Sequence, residues 1–452
     1  MSINNLTPEY LKERDLDSIW HAMRPHSTTP SLIVKEADGA WIKDIDGNKY
    51  LDAMSGLWCV NVGYGRKEIA EKAYQQMLDM PFYPLTQSHT PAIQLAEKLN
   101  EWLQDDYIYF FSNSGSEANE TAFKIARQYF HQTERPSRHK FIARYRAYHG
   151  SSLATLSAGG QAQRKYKYDP LPQGFLHVTP PDSYRCPAGH SIEEFNRACA
   201  DEIDRMMTWE EDETIAGVIM EPIITGGGIL MPDDSYMKRV KEICEKHGAL
   251  LISDEVICGF GRTGERFGFM HYDVKPDIIT MAKGVTSGYL PLSVTAVKKD
   301  IYNAFKGSEP NDHFRHVNTF GGHPAACAAA LVNLEIMERE NLVEQSASLG
   351  RRLLKELDEL KELSKVGDVR GKGLLAGVEL VEDKNTKIPL DEGVLKKIVA
   401  GCKQDGLIIG KTSDIVAGHN NILTLSPPLS ITDEDFSFIV STFKNNVQKH
   451  LS

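Results

Sequence analysis

Two segments of the sequence place small or acidic residues directly after short apolar runs. The segment Ser112–Glu120, SNSGSEANE, begins a helical pattern, and its small residues let backbone N–H groups approach a phosphate at the positively polarised helix N-terminus. The segment ISDEV ends its run with Asp254 and Glu255, where a buried carboxylate could keep a ring nitrogen protonated. A simple helix cap and a carboxylate that caps the next turn are the structural alternatives.

Two further segments place a lysine and an aromatic pair in comparable positions. Lys283 in MAKG follows an apolar run, and a lysine desolvated at a strand end can supply the free amine that imine formation requires. Tyr148 and His149 in AYHG follow another run, and an aromatic ring there can stack on a planar cofactor. The alternatives are a surface lysine and an aromatic ring in the core. Neither segment identifies a reaction by itself.

A glycine pattern in CGFGRTG matches the dinucleotide-binding motif. Gly259, Gly261 and Gly264 satisfy G-x-G-x-x-G after an apolar run. The following residues, ERFGFMHYDVKPD, contain Gly268 and Pro276 and lack the spacing of an amphipathic helix, so the helix N-terminus that should bind a pyrophosphate is missing. The sequence therefore argues against a nicotinamide-dependent dehydrogenase.

The elements that must position these residues alternate between buried strands and amphipathic helices. The helices are predicted in SEANETAFKIARQYF and in DDSYMKRVKEICEKHG, which ends at Gly248. Strands are predicted at residues 107–111, 140–144, 216–221, 249–253 and 278–282. This alternation predicts an α/β domain with a mostly parallel sheet flanked by helices.

The two ends of the chain show a different pattern. The hairpin predicted in WIKDIDGNKYLD turns at Asp46 and Gly47. The C-terminal region combines helices with strand-like LLAGVEL and ILTLS, and Thr432 and Asp435 form a capping box at its last helix. We therefore predict a smaller α+β domain from both chain ends. The predicted limits are a large cofactor-binding domain of residues 61–329 and a small domain of residues 1–60 and 330–452.

Composition and charge argue against several classes of partner. The 51 basic and 62 acidic residues give a net charge of −11, which disfavours nucleic acid and anionic membranes as partners. No apolar run approaches the roughly 18 residues of a membrane span, and the polar N-terminus is unlike a targeting peptide, so we expect a cytoplasmic protein. The seven cysteines are scattered without a C-x-x-C pair, and we predict neither disulfides nor a metal site.

Taken in order, SGSEAN, YHG, IMEP, SDEVICGFGRTG, MAKG and NTFGGHP resemble the class III, or omega, aminotransferases, which are pyridoxal-phosphate enzymes of fold type I. The resemblance extends from about Ser55 to Pro428. It implies that Lys283 binds pyridoxal 5′-phosphate as a Schiff base and moves the substrate's proton. It also implies that Asp254 pairs with the pyridine nitrogen and that Tyr148 stacks on the ring, so these three residues are the predicted catalytic group.

The resemblance assigns further residues to the site. A homodimer with shared active sites is implied, because Thr319 would reach the phosphate of the neighbouring subunit. The other cofactor-binding residues that it implies are Ser114, Gly115, Ser116, His149, Glu221 and Val256. The substrate pocket that it implies contains Trp58, Phe82, Tyr83 and Lys411.

Two stretches, DAMSGLWCVNVGYG and MPFYPLTQSHTPA, look most similar to enzymes that transfer a terminal amino group from an ω-amino acid or amine, such as β-alanine or taurine, to pyruvate. The first alternative is an adenosylmethionine–8-amino-7-oxononanoate aminotransferase of biotin synthesis, although the tandem tryptophan of that group is replaced here by Leu57 and Trp58. The second is a decarboxylase, epimerase or aminomutase, because fold and cofactor do not determine the reaction.

One departure from the family concerns how a keto acid is held. Many relatives carry a carboxylate-binding arginine in the stretch that corresponds to GLIIGKTSDIVAGHNN, but no arginine follows Arg370. Lys411 is the candidate replacement, as a point charge that lacks the bidentate fork of arginine. Arg262, from the family's motif, is expected to have a structural role in a turn.

Overall fold

The structure is a computed structural model that describes residues 6–24 and 29–451. Residues 1–5, 25–28 and 452 of the predicted small domain therefore lie outside the described residues. The strands are β1 (Val34–Asp38), β2 (Trp41–Asp44), β3 (Lys49–Asp52), β4 (Tyr107–Ser112), β5 (Lys140–Arg144), β6 (Phe175–Val178), β7 (Ile215–Met220), β8 (Leu250–Asp254), β9 (Ile278–Met281), β10 (Ser293–Lys298), β11 (Val366–Gly371), β12 (Ala376–Leu380), β13 (Leu407–Ile408), β14 (Gly410–Lys411) and β15 (Ile422–Leu425).

The α-helices connect and cover these strands. They are α1 (Pro8–Ser18), α2 (Ser55–Trp58), α3 (Lys67–Asp79), α4 (Thr90–Leu103), α5 (Gly115–Gln132), α6 (Leu153–Ala158), α7 (Ala162–Lys165), α8 (Ile192–Trp209), α9 (Tyr236–His247), α10 (Lys299–Asn303), α11 (Pro324–Arg339), α12 (Leu342–Asp358), α13 (Glu392–Gln404) and α14 (Asp433–Leu451).

The central sheet has seven strands in the order β4-β10-β9-β8-β7-β5-β6, and β10 runs antiparallel to both of its neighbours. Helices cover both faces. On β8, Leu251 packs in the same cluster as Val240 of α9, whereas Leu250 and Ile252 pack in the cluster that contains Ala122 of α5. The strand is therefore buried on both faces and apolar from Leu250 to Ile252, and the predicted α/β fold is confirmed.

Two strands of the central sheet were not predicted from the sequence. They are β6 and β10, with the sequences FLHV and SVTAVK. Both mix polar and apolar residues, so neither forms the continuous apolar run on which the other strand predictions rested.

The two ends of the chain meet outside the central sheet. Strands β1, β2 and β3 form an antiparallel meander, and β3 pairs in parallel with β13 through Leu51 and Leu407. A second sheet has the order β11-β12-β15-β14. The predicted limit between residues 329 and 330 falls inside α11, which packs against α3 and α4. The exact domain limits thus stay a prediction.

Several local predictions can be compared directly with the backbone. The hairpin at Asp46 and Gly47 joins β2 and β3, and Gly248 ends α9 in the left-handed conformation. At α14, Asp435 N donates to Thr432 Oγ1 at 3.1 Å while Thr432 N donates to the Asp435 carboxylate at 3.1 Å. These local patterns were read correctly because a few neighbouring residues determine them.

Turns follow β8, and the next helical segment is a 3₁₀ helix at Gly268–Tyr272. No α-helix begins at the glycine motif within this described stretch, so a pyrophosphate would find no helix N-terminus there. Among the described residues, none of the helices is long and apolar enough to cross a membrane. The same residues contain no cluster of three or more His, Cys, Asp or Glu side chains suited to a metal ion.

Candidate active site

A cavity of about 210 Å³ lies where β4, β5, β7, β8 and β9 reach their carboxyl ends. It brings together nine of the residues expected from the sequence. Its lining residues are Ser114, Gly115, Ser116, Asn119, Tyr148, His149, Gly150, Glu221, Asp254, Val256, Ile257, Cys258 and Lys283. The carboxyl ends of parallel strands share one edge of the sheet, which is why segments distant in sequence meet here.

The N-terminus of α5 forms one side of this cavity. Ser114 is its N-cap: Ser114 Oγ accepts a hydrogen bond from Glu117 N at 3.2 Å, and the Glu117 carboxylate accepts from Ser114 N at 2.8 Å. The capping alternative is therefore correct, and it also holds Gly115 and Ser116 at the cavity. A helix N-terminus carries partial positive charge and favours a bound anion.

Small residues allow the loop after β5 to approach α5 closely. Ser151 N donates to Ser116 Oγ at 3.1 Å. Gly150 has φ +140°, and a Cβ atom there would lie 2.5 Å from both Ser116 Oγ and Thr155 Oγ1. A side chain at position 150 would push Tyr148 and its loop away from the helix N-terminus.

Asp254 ends β8 and is held by three hydrogen-bonding groups. Its Oδ2 accepts from Asn119 Nδ2 at 2.9 Å and lies 2.8 Å from His149 Nδ1. Its Oδ1 accepts from Val256 N at 3.1 Å. The carboxylate is 3% exposed, so its orientation is determined by these contacts. The site therefore contains a buried, oriented acid of the kind that can stabilise a protonated ring nitrogen.

Asn119 was not predicted as a site residue. Its Nδ2 also donates to the His149 carbonyl at 2.7 Å, and Thr280 Oγ1 donates to its Oδ1 at 2.7 Å. Asn119 links α5, the loop after β5 and β9 beneath Asp254. A signal was present in the sequence, because a polar residue lies between Ala118 and Ala122 on the buried side of α5.

Glu221 follows β7 and is buried. One of its carboxylate oxygens accepts from Tyr148 N at 3.1 Å, and the other accepts from Thr225 N at 2.9 Å and Thr225 Oγ1 at 2.7 Å. Burial raises the pKa of Glu221, and the nearby negative charge of Asp254 also raises it. Glu221 thus positions the backbone of Tyr148 as well as lining the cavity.

Lys283 follows β9 and begins a 3₁₀ turn that extends to Val285. Its φ of +42° is in the left-handed region, which non-glycine residues adopt only where the surrounding structure holds them. Across residues 6–24 and 29–451, the Lys283 ammonium has no hydrogen-bond or ion-pair partner. The amine is therefore available for reaction in the cavity.

The residues around the cavity fit pyridoxal phosphate. The helix N-terminus suits the phosphate, the Asp254 carboxylate suits the pyridine nitrogen, and Lys283 suits the aldehyde. Tyr148 and Val256 offer an aromatic and a branched apolar surface for the ring. Together they offer a partner for the phosphate, the ring nitrogen, the ring faces and the aldehyde of this cofactor.

Five expected site residues do not line this cavity. Trp58 packs next to it, against a cluster that includes Cys258. Phe82 contacts the ring of Phe320 at 5.8 Å, and Tyr83 is half exposed.

Thr319 is exposed and does not line the cavity of its own chain. Lys411 pairs with Glu392, whose Oε1 lies 2.7 Å from Lys411 Nζ, so its charge is already balanced. Lys411 does not line this cavity, because β14 directs it toward α13, and its role in substrate binding stays a prediction.

Arg262 has the structural role that was expected. Its guanidinium is buried and donates to the carbonyl oxygens of Leu374 at 3.0 Å and Pro427 at 2.6 Å. It also donates to Asn61 Oδ1 at 2.7 Å and Ser55 Oγ at 3.3 Å. Arg262 therefore ties the N-terminal segment to the C-terminal region. Burial lowers its pKa to about 9.

Comparison with known proteins agrees with this site. The family model for class-III aminotransferases matches residues 22–447. An uncharacterised aminotransferase of Bacillus subtilis, YhxA, is 67% identical over 97% of this chain and 96% of its own length. The taurine–pyruvate aminotransferase of Bilophila wadsworthia is 43% identical over 94% of each chain. The crystal structure of a Bacillus anthracis aminotransferase superposes with a TM-score of 0.95 at 60% identity, covering 98% of each chain.

The family match spans nearly the whole chain, including every segment that forms the cavity. The cofactor of this family, pyridoxal phosphate, is the one that the cavity fits. The chain therefore belongs to the class-III aminotransferases and is a pyridoxal-phosphate-dependent enzyme.

Proposed function

We propose that this enzyme transfers the terminal amino group of a small amine or ω-amino acid to a keto acid such as pyruvate. One observation carries the proposal: Lys283, Asp254 and the N-terminus of α5 line a single cavity. The taurine–pyruvate relative supports the choice of substrates, because its 43% identity extends over 94% of this chain. This similarity favours transfer to pyruvate over the alternative reaction, in which adenosylmethionine donates its amino group to 8-amino-7-oxononanoate.

Bound pyridoxal phosphate supplies an electron sink that stabilises negative charge on the amine-bearing carbon of the donor. Lys283 would hold the cofactor through Nζ, and its amine, once released from the cofactor, would accept and return the proton that leaves this carbon. Asp254 keeps the pyridine nitrogen protonated, and its own position depends on Asn119 and His149. These residues form the catalytic group that we assign.

The remaining lining residues orient the cofactor. Ser114, Gly115 and Ser116 hold its phosphate at the start of α5, and Gly150 leaves room for the approach. Tyr148 would contact one face of the bound ring and Val256 the other, because both line the cavity. A ring held in this way would orient the donor carbon toward Lys283.

We also propose a homodimer in which Thr319 binds the phosphate of the partner's cofactor. Thr319 and Phe320 are exposed, and Phe82 and Tyr83 lie on the same surface through the contact of Phe82 with Phe320. This surface continues into an apolar groove of about 760 Å³ that contains Val317, Asn318 and Gly321. A second copy of the chain on this groove would bring Thr319, Phe82 and Tyr83 to the neighbouring site.

Borohydride reduction of the holoenzyme, followed by peptide mapping, tests the proposal. The reduced cofactor should be attached to Lys283, and a label on any other lysine would contradict the assignment. A donor panel of β-alanine, taurine, putrescine and adenosylmethionine, each with pyruvate and with 8-amino-7-oxononanoate, tests the substrates. Strict use of adenosylmethionine with 8-amino-7-oxononanoate would overturn the preference for pyruvate.

A further inference from the structure

The proposed keto acid carries a negatively charged carboxylate. Lys411, the residue predicted to bind it, is already paired with Glu392. No arginine follows Arg370 in the sequence, and the Lys411 ammonium is 2.7 Å from the Glu392 carboxylate. A cation that already has an acidic partner gains little from a second anion. The charge of the substrate therefore requires another group near the cavity.

Arg164 in α7 lies next to Tyr148, just outside the set of residues that line the cavity. Its guanidinium carbon lies 5.0 Å from the centroid of the Tyr148 ring, and Tyr148 lines the Lys283 cavity. Arg164 Nε is buried and has no hydrogen-bond partner, and no carboxylate pairs with this side chain within the described parts of the chain. Its Nη1 contacts only a weak acceptor, Met23 Sδ, at 3.5 Å.

Helix α7 is attached to the C-terminal stretch in which relatives place their arginine. Gln163 N donates to the Ile415 carbonyl at 3.1 Å, and Asn420 Nδ2 donates to Gln163 Oε1 at 2.9 Å. Arg164 is the next residue along α7. The tertiary structure thus places the helix that carries Arg164 beside residues 412–421, although that stretch itself contains no arginine.

Other arginines in this part of the molecule are already paired. Arg146 Nη1 lies 2.6 Å from Asp182 Oδ2, and its remaining nitrogens donate to the Gly227 carbonyl. Arg370 pairs with Glu379 at 2.8 Å and with Asp368. Arg164 differs from these two arginines because its guanidinium contacts the Tyr148 ring and the Met23 thioether and no carboxylate among the described residues.

We propose that Arg164 binds the anionic group of the acid substrate, as a carboxylate or sulfonate oxyanion. The inference rests on the proposed function. A guanidinium can form two parallel hydrogen bonds to either anion, and its stacking on Tyr148 holds the plane of the fork. The anion replaces Met23 Sδ, and because Met23 is 59% exposed, moving it uncovers little buried surface. Arg164 is thus a specificity residue that orients substrate relative to Lys283.

The test compares the wild-type holoenzyme with Arg164→Met, using a donor amine that has no acidic group. With pyruvate as acceptor, Arg164→Met should raise KM about 30-fold, which corresponds to about 2 kcal/mol. With butanal as acceptor, kcat/KM should stay within about twofold of wild type, because butanal has no anion to bind. The KM of Arg164→Lys for pyruvate should lie between that of the wild type and that of Arg164→Met. Exchanging the donor for β-alanine or taurine distinguishes carboxylate binding from sulfonate binding.

A binding measurement gives a readout that does not depend on turnover. Calorimetric titration with propionate and with ethanesulfonate should detect binding to the wild-type holoenzyme and at least tenfold weaker binding to Arg164→Met. The matched control is Arg205→Met, which removes an exposed arginine that lies over Trp209 in α8. This control should bind both anions as the wild type does.

Two outcomes would overturn the inference. In the first, Arg164→Met impairs butanal and pyruvate equally, which would show a general disturbance of Tyr148. In the second, the selective loss with pyruvate appears in Lys411→Met and not in Arg164→Met. A wild-type enzyme that transfers no amino group to pyruvate from any donor would instead refute the proposed function, so the two failures are distinguishable.

Discussion

Asp254 Oδ2 lies 2.8 Å from Nδ1 of His149, and both side chains are buried at the edge of the central sheet. His149 Nε2 has no partner in residues 6–24 and 29–451, so this ring is oriented by its contact with Asp254. The pair gives the acid a fixed direction toward the cavity. Such an orientation matters because a preorganised charge need not rearrange during the reaction.

The first prediction concerns Asp254→Asn, which keeps the size of the side chain and removes its charge. The amide cannot keep the pyridine nitrogen protonated, so kcat for amino transfer should fall by about 10³-fold. Stopped-flow measurement with donor alone checks the first half of the reaction. Glu255→Gln is unsuited as a control because Glu255 is also buried, so Asp201→Asn on the surface of α8 serves instead. A loss of less than tenfold in Asp254→Asn would contradict the assignment.

The second prediction tests shared active sites with mixed dimers. Homodimers of Lys283→Ala subunits and homodimers of Thr319→Ala subunits are each expected to have low activity. If Thr319 acts in the partner's site, a mixed dimer contains one site with both wild-type residues and should recover about half of the wild-type activity. If Thr319 acts within its own chain, the mixed dimer contains no intact site. Activity that stays at the level of the parent variants would therefore refute the proposed exchange.

The third prediction concerns acid stability through Glu379, a fully buried carboxylate. Burial raises its pKa, but attraction to Arg370, Arg185 and Arg146 outweighs burial and lowers the pKa to about 2. The group has a lower pKa in the folded than in the unfolded protein, so its stabilisation is present above pH 4.5 and is lost as the pH falls toward 2. Glu379→Gln should reduce the free energy of unfolding by about 3 to 5 kcal/mol at pH 7.

Urea unfolding of Glu379→Gln and wild type at several pH values between 7 and 3 checks this prediction. The difference between the two proteins should shrink as the pH falls below 4.5, because the carboxylate of the unfolded wild type takes up a proton while the folded carboxylate stays ionised until the pH approaches 2. A difference that stays constant over this range would show that Glu379 acts by packing alone.

The fourth prediction concerns Arg262→Met, which removes the tie between the two chain ends. The carbonyl oxygens of Leu374 and Pro427 would lose a buried charged donor, so the free energy of unfolding should fall by about 3 kcal/mol or more. Arg205→Met, on the surface, should change it by about 0.5 kcal/mol or less. Urea unfolding of both variants and of the wild type measures these changes in the free energy of unfolding. Equal stability of Arg262→Met and Arg205→Met would show that the four contacts contribute little.

Local residues determined much of what could be predicted. Lys283, Asp254 and the start of α5 became candidates because each follows an apolar run, and the carboxyl ends of parallel strands meet at one edge. Their roles were implied by the resemblance to class III aminotransferases. The same short-range logic predicted the cap of α14 and the end of α9. The strands β6 and β10 were missed because their mixed composition gives no continuous apolar run.

Only the tertiary structure decided which distant side chains share an environment. It placed Asn119 beneath Asp254, directed Lys411 to Glu392, and brought Arg164 to Tyr148. In each case the partners lie on different elements or loops, and the direction of each side chain decides whether they meet. The sequence by itself therefore determined the chemistry of the cavity, through residues that end strands. The long-range packing of helices on the sheet determined which partners hold the charged side chains of the cavity. It also determined that Arg164 has no acidic partner among the described residues.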